Sequence, residues 1–319
     1  MSAEPVRIDT PDGPAWLLRD RDDVRAAFTD PRLSPCPRHA AGADLRGYDL
    51  PPEFRDNIIS AEPEDHRRLR RLVQPLLDRA AADRLEPLLA RAARETLAAA
   101  GAGPFEVVPG YAGPYVATVV AGWLGLPSGV REPYLAWAAR LVGPEWATLR
   151  GRDTLPAMLA MVRDLARRGA GPGTPAAALL EHAEQGRMTP GEASSMLFYL
   201  LFVWYEVCVD AIATALLTGE PFGAAHPPQL TAFRRFAVTG LTVGPATIDA
   251  GQTVLYSLRD FPFGHGPHRC PGEPVARALV EHALAAARDA GLEVDASGVR
   301  WSAGLRTDGP RHLLGRIRR

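Results

Sequence analysis

Apolar residues recur at helical spacing through most of the chain, and strand-like alternation is confined to the start and the last third. Trp16-Leu-Leu-Arg19 reads as a short strand, followed by a helix opened by Asp22 or Asp23 and ending near Asp30-Pro31. A polar, Pro-rich loop then runs from about Ser34 to Glu62, long enough to suggest a functional cover. Two helices are predicted next. Pro63 to Leu77 is Arg-rich and amphipathic, and Arg79 to Ala100 carries Leu85, Leu88, Leu89, Ala92 and Leu97 on its apolar stripe. Further helices are expected over 112–124, 130–142 and 154–169. The longest helix starts at the capping box Thr189-Pro-Gly-Glu192 and stops at Gly219, spanning about 40 Å at 1.5 Å per residue. Alternation around Gly244 and Gly251 predicts a hairpin or meander over 241–258, a helix follows from about Pro274 to Ala290, and the tail carries weak strand signals. With no internal repeat and no low-complexity linker, one mainly α domain with small β-sheets is expected over residues 1–319.

One stretch, Met196 to Leu217, is long and apolar enough to cross a bilayer. Glu206 and Asp210 lie near its centre, where a carboxylate is costly in lipid, so the expectation is the core helix of a soluble protein. Composition adds exclusions. Apolar residues make up 46% and charged residues 23%, a globular balance, and the net charge of −1 exerts no overall pull toward nucleic acid or anionic membrane. Every one of the 36 basic residues is Arg. A chain without lysine cannot form a pyridoxal Schiff base or a P-loop, so two large enzyme classes drop out. Cys36, Cys208 and Cys270 are too few and too scattered for a disulfide framework, and residues 1–12 lack the apolar core of a signal peptide. A cytoplasmic location is expected.

The candidate chemistry concentrates at Phe263-Gly-His-Gly-Pro-His-Arg-Cys-Pro-Gly272, between a strand-like piece and a helix start. Two glycines and a proline make a tight loop that lets backbone approach a flat ligand closely. Cys270 ends that loop beside His268 and Arg269, just ahead of a helix N-terminus, where positive charge and the helix dipole favour its thiolate. Such a thiolate is a soft, electron-donating ligand for haem iron. Six fixed positions of uncommon residues would arise by chance in a chain of this length about once in 10⁵ trials.

This frame, Phe-Gly-x-Gly-x-His-x-Cys-x-Gly, resembles the haem-binding signature of the cytochrome P-450 family, without a gap. The resemblance extends from Trp16-Leu-Leu-Arg-Asp-Arg-Asp-Asp-Val-Arg25 to the C-terminal strands and implies that family's fold, a haem b cofactor and Cys270 as the metal ligand. Glu64-Asp-His-Arg-Arg-Leu-Arg70 looks like the family's helix whose His and Arg hold a haem propionate, and the spacing places His66 and Arg70 on one helical face. Arg235 is similarly matched to the strand that holds the other propionate, and His268 to a further donor. Phe263, Gly264 and Gly272 complete the cofactor-binding set. Buried carboxylates need such charged partners.

The pattern also departs from the family. The Glu-x-x-Arg helix after the long helix and the meander before the cysteine loop are missing, so the cysteine side is expected to be thinner or supported by a partner chain. Where the family's long helix reads Ala-Gly-x-Glu/Asp-Thr, this chain has Val203-Trp-Tyr-Glu-Val207. Glu206 remains a proton donor, Val207 has no hydroxyl, and Trp204 stands in place of a glycine. Trp204, Tyr205 and Phe202 either pack the core of a buried helix or line a reshaped distal pocket suited to peroxide use or a redox-neutral step. The resemblance thus implies a haem-thiolate oxidoreductase, monooxygenase-like, acting on a small organic molecule in specialised metabolism such as antibiotic biosynthesis. Its electrons would come from a ferredoxin docking around Arg67, Arg71, His268 and Arg269. The alternative is a non-catalytic partner of another biosynthetic enzyme, such as a glycosyltransferase. Segments 36–60 and 140–175 are the expected substrate contacts.

Overall fold

The computed structural model describes residues 4–10, 13–40, 57–101, 103–142, 155–219, 222, 232–301 and 309–318. The chain enters as β1 (Val6–Thr10) and β2 (Gly13–Leu18), then α1 (Arg21–Ala27) and β3 (Leu33–Ser34). Asp20 caps α1 by accepting the amides of Asp22 and Asp23, so the helix opens two residues before the position its acidic pair suggests. The helical body runs through α2 (Pro63–Leu77), α3 (Arg79–Ala100), α4 (Gly113–Trp123), α5 (Ser128–Val142), α6 (Leu155–Arg168) and α7 (Pro175–Glu184), with β4 (Pro104–Glu106) between α3 and α4. No sequence signal was assigned to α7, although Thr174 caps it and Pro175 starts it.

The long apolar stretch forms α8 (Pro190–Phe198) and α9 (Trp204–Thr218), joined by a π-turn over Tyr199–Val203. The capping box at Thr189 and Glu192 is present, and Gly219 closes the far end in the left-handed region. The expected helix thus runs on through residues 190–218, with a π-turn at its centre. A π-turn shifts one carbonyl out of the regular ladder, and that of Leu201 receives the buried Tyr134 hydroxyl of α5 at 3.1 Å. In return the Tyr205 hydroxyl donates to the Ala138 carbonyl of α5 at 2.9 Å.

The remaining elements are β5 (Ala232–Ala237), β6 (Leu241–Val243), β7 (Ala246–Ile248), β8 (Thr253–Ser257), α10 (Glu273–Asp289), β9 (Leu292–Trp301) and β10 (Pro310–Ile317). The expected hairpin over 241–258 is β6 with β7, while β8 leaves it to run parallel to β2 in a five-stranded sheet ordered β1-β2-β8-β5-β3. A second sheet is ordered β4-β10-β9. The main core lies where α10 packs on α3 and α9 and where α4 packs on α3 and α9. Tyr111 and Tyr115, fully buried, donate to the carbonyls of Ala283 and Leu279 and so tie the start of α4 to α10. The long apolar helix of residues 190–218 is thereby taken up by protein, with 67% of its most apolar window buried.

Two absences expected from the sequence fare differently. Between β8 and Phe263 the described residues form only short turns, so the meander is indeed lacking. The place of the Glu-x-x-Arg helix, including Glu220, lies outside the described residues apart from Gly219 and Phe222. Residues 41–56 and 143–154 of the expected substrate segments lie outside them as well.

Candidate functional site

The cysteine loop is closed by its own backbone. The Cys270 amide donates to the Phe263 carbonyl at 2.8 Å, and the Gly264 amide to that of Phe261 at 2.7 Å. Gly264 holds a φ of +72°, which a residue with a side chain rarely adopts. Phe263 is pinned from α10, where the Arg277 guanidinium lies 4.7 Å from its ring centre and its Nε donates to Glu273 at 2.9 Å. Cys270 is half-buried, and burial pushes its thiol up. The amides of Gly272 and Glu273 at the start of α10, together with the Arg70 guanidinium, work in the opposite direction by favouring the thiolate. Burial outweighs these groups, so the thiol stays above its ordinary value in the protein alone.

The four predicted propionate donors converge beside it. The rings of His66, on α2, and His268, in the loop, lie 3.9 Å apart. Arg70, one turn along α2, donates to the Arg269 carbonyl and, through Nε, to Gln74 at 2.7 Å. Arg235 reaches in from β5, almost wholly buried, with its guanidinium 4.1 Å from the Phe233 ring centre. Burial, then Arg70 and Arg235, hold His66 down to about 4. Burial, then Arg235, His66 and Arg70, hold His268 down to about 2. Two neutral imidazoles and two guanidiniums crowded together concentrate positive potential at one spot, and a dianionic group would be stabilised there. The donor set, one thiolate with this basic cluster, fits haem and its two propionates.

The opposite wall is less uniform. Val203, Glu206 and Val207 sit at helical spacing on an exposed to half-exposed face of the long helix. Tyr205 points the other way, and its expected place in a distal pocket is corrected by its surroundings. It is buried among Tyr134 and Trp137 with its hydroxyl committed to Ala138, and burial raises that hydroxyl far above the ordinary phenol. Phe202 belongs to the same aromatic cluster. Trp204 packs against Trp123 of α4 with ring centres 4.8 Å apart and planes tilted by 44°, and its indole tip reaches the cysteine loop instead of standing away from it. A β-carbon on Gly272 would lie 3.5 Å from Trp204 Nε1 and 3.9 Å from Cys270 Sγ. Cys208, one turn beyond Trp204, is buried on that same side, its thiol pushed up by burial and by Cys270.

Sequence reasoning missed Arg311. Asp210, fully buried on α9, takes Arg311 Nη2 on Oδ2 at 3.0 Å, with Nη1 2.8 Å from Oδ1. Only an acid in an apolar helix signalled this pair. A further tie, from Arg68 of α2 to the buried Glu192 of α8, raises the Arg68 guanidinium above its ordinary value.

No protein-family model matches the chain. Vitamin D(3) 25-hydroxylase of Pseudonocardia autotrophica is 30% identical over 323 residues, covering 86% of this chain and 80% of the relative. The chain belongs to the bacterial cytochrome P-450 family. A second cytochrome P-450 relative, 6-deoxyerythronolide B hydroxylase of Saccharopolyspora erythraea, is 26% identical over 98% of this chain and 92% of its own length. Among solved structures, the tirandamycin C-bound P-450 monooxygenase TamI superposes with a TM-score of 0.81 at 24% identity, covering 98% and 94% of the two chains. The mainly helical architecture with small sheets is thus the cytochrome P-450 fold, and its relatives are named hydroxylases and monooxygenases. Membership implies a haem cofactor.

Proposed function

We propose that this cytochrome P-450 is a haem b-thiolate oxidoreductase that acts on a small organic molecule in bacterial specialised metabolism. The observation that carries this reading is Cys270, set at the start of α10 with two backbone amides on its sulfur and four basic side chains gathered beside it. What a haem supplies when bound to a thiolate is oxidant activation at iron. His66, Arg70, His268 and Arg235 would hold its propionates. Glu206 presents a carboxyl on the face shared with Val203 and Val207, so it is the residue that would pass a proton to the reacting centre. Val207 offers no hydroxyl beside it, which favours peroxide use or a redox-neutral step over ordinary oxygen insertion. The substrate class follows relatives named for vitamin D(3), 6-deoxyerythronolide B and mycinamicin IV. Arg67, Arg71 and Arg269 are exposed on the cysteine side beside His268 and would dock an acidic ferredoxin where electrons are needed.

The second reading, a non-catalytic partner of another biosynthetic enzyme, draws support from the Trp204 indole beside Cys270. Absorption spectra of the protein as isolated, and reduced under carbon monoxide, separate the two. A red protein with a thiolate-type Soret band supports the enzyme. A colourless protein that takes up no haem overturns it in favour of the partner role.

A further inference from the structure

Trp204 is the first residue of α9, placed directly after the π-turn, a helix irregularity of the kind that accompanies functional sites. Its ring rests on Trp123, buried at the end of α4, and its Nε1 comes within 3.5 Å of the point a Gly272 β-carbon would take. Cys270 Sγ lies 3.9 Å from that same point. Indole and thiol therefore flank one spot at the start of α10. A metal–thiolate bond is about 2.3 Å long, as at zinc. A group held by Cys270 on that side would have to share the spot with the indole. Among the described residues, Trp204 is the side chain that borders that spot together with Cys270.

We propose that Trp204 guards Cys270: its indole shields the sulfur from the Gly272 side and must swing off Gly272 for haem to reach it. The proposal rests on the reading of Cys270 as a haem ligand. Removing the indole should leave the sulfur more open and the entry faster, while the propionate donors stay in place. A side chain that merely packed the core would change neither rate.

The test compares the haem-free full-length protein with Trp204→Gly and Trp204→Leu, using peptide-resolved maleimide labelling and the rate of haemin uptake followed at the Soret band. Cys36, distant in the sequence and partly exposed, is the internal reference for labelling. Labelling of Cys270 at least tenfold faster in the variants, with Cys36 unchanged and haemin uptake accelerated in parallel, is the expected result. Should Trp204→Gly fail to fold, Trp204→Leu keeps an apolar side chain and gives the same comparison. Equal labelling at Cys270 overturns the shield. Faster labelling with unchanged haemin uptake overturns the control of entry. If neither the wild type nor a variant takes up haem, the haem-thiolate reading itself fails and the guarding role falls with it. If all take it up at one rate and label alike, only the guarding role falls.

Discussion

At Cys270 the chain gathers polar atoms at one point, whereas the long helix supplies surfaces. The cysteine loop, α2 and β5 bring a sulfur, two amides, two imidazoles and two guanidiniums together. The centre of the long helix places Val203, Glu206 and Val207 on one face, Trp204 against the loop and Tyr205 into an aromatic core. A ligand bond and charge-assisted hydrogen bonds tolerate little change of residue type. A helix face that shapes a cavity tolerates exchange of side chains with little effect on the fold, so chemistry can drift there while the opposite wall keeps its frame.

The largest effect tests the fixed wall. Cys270→Ala should abolish the thiolate-type spectrum of the ferrous carbon monoxide complex and leave little haem in the purified protein. The change should be all-or-none, because no other side chain in the cluster offers a thiolate. Retention of an unaltered spectrum would break the comparison, since sulfur from another position would then be the ligand.

That asymmetry also governs what was legible in the sequence. The loop from Phe263 to Gly272 could be read because its residues follow one another in a single frame. The resemblance to the family singled out His66, Arg70 and Arg235, and helical spacing added only that His66 and Arg70 share one face. The capping box at Thr189 announced the start of the long helix correctly. The π-turn was not readable, because it depends on Tyr134 reaching the Leu201 carbonyl from a helix 67 positions away in sequence. The fates of Trp204 and Tyr205 were likewise open. Adjacent aromatic residues on a buried helix point about 100° apart, and only the neighbours Trp123 and Ala138 decide what each one meets. Asp210 stood out only as an acid in an apolar helix, because its partner stands 101 positions further along the chain.

That pair gives the next effect in size. Gly309 lets β10 close on α9, since a β-carbon there would lie 2.6 Å from the Asp210 side chain, and Arg311 then neutralises the buried carboxylate. Arg311→Met should destabilise the fold by about 3–5 kcal/mol, because it strands a buried charge. The measurement is a fall in the urea midpoint at unchanged slope. Converting Asp210 to Asn in the same background should recover part of the loss. If Arg311→Met instead leaves stability intact, the long helix is not braced from the C-terminal sheet, and its role as a firm wall weakens.

The smallest effect sharpens the division within the long helix itself. Tyr134 and Tyr205 exchange hydroxyl bonds across α5 and the long helix, each satisfying a carbonyl of the other's segment. Tyr205→Phe should cost about 1–3 kcal/mol, the range for leaving a buried acceptor unsatisfied, and Tyr134→Phe a similar amount at the π-turn. Because Tyr205 faces the aromatic core, its loss should leave the haem spectrum and substrate-induced shifts unchanged once the variant is folded. Tyr134→Phe acts on the turn that precedes Trp204, so it should also alter the exposure of Cys270 in the haem-free protein. A Tyr205→Phe variant of full stability but altered spectrum would put that hydroxyl at the cofactor, and the face carrying Val203, Glu206 and Val207 would no longer be the one that meets the reaction.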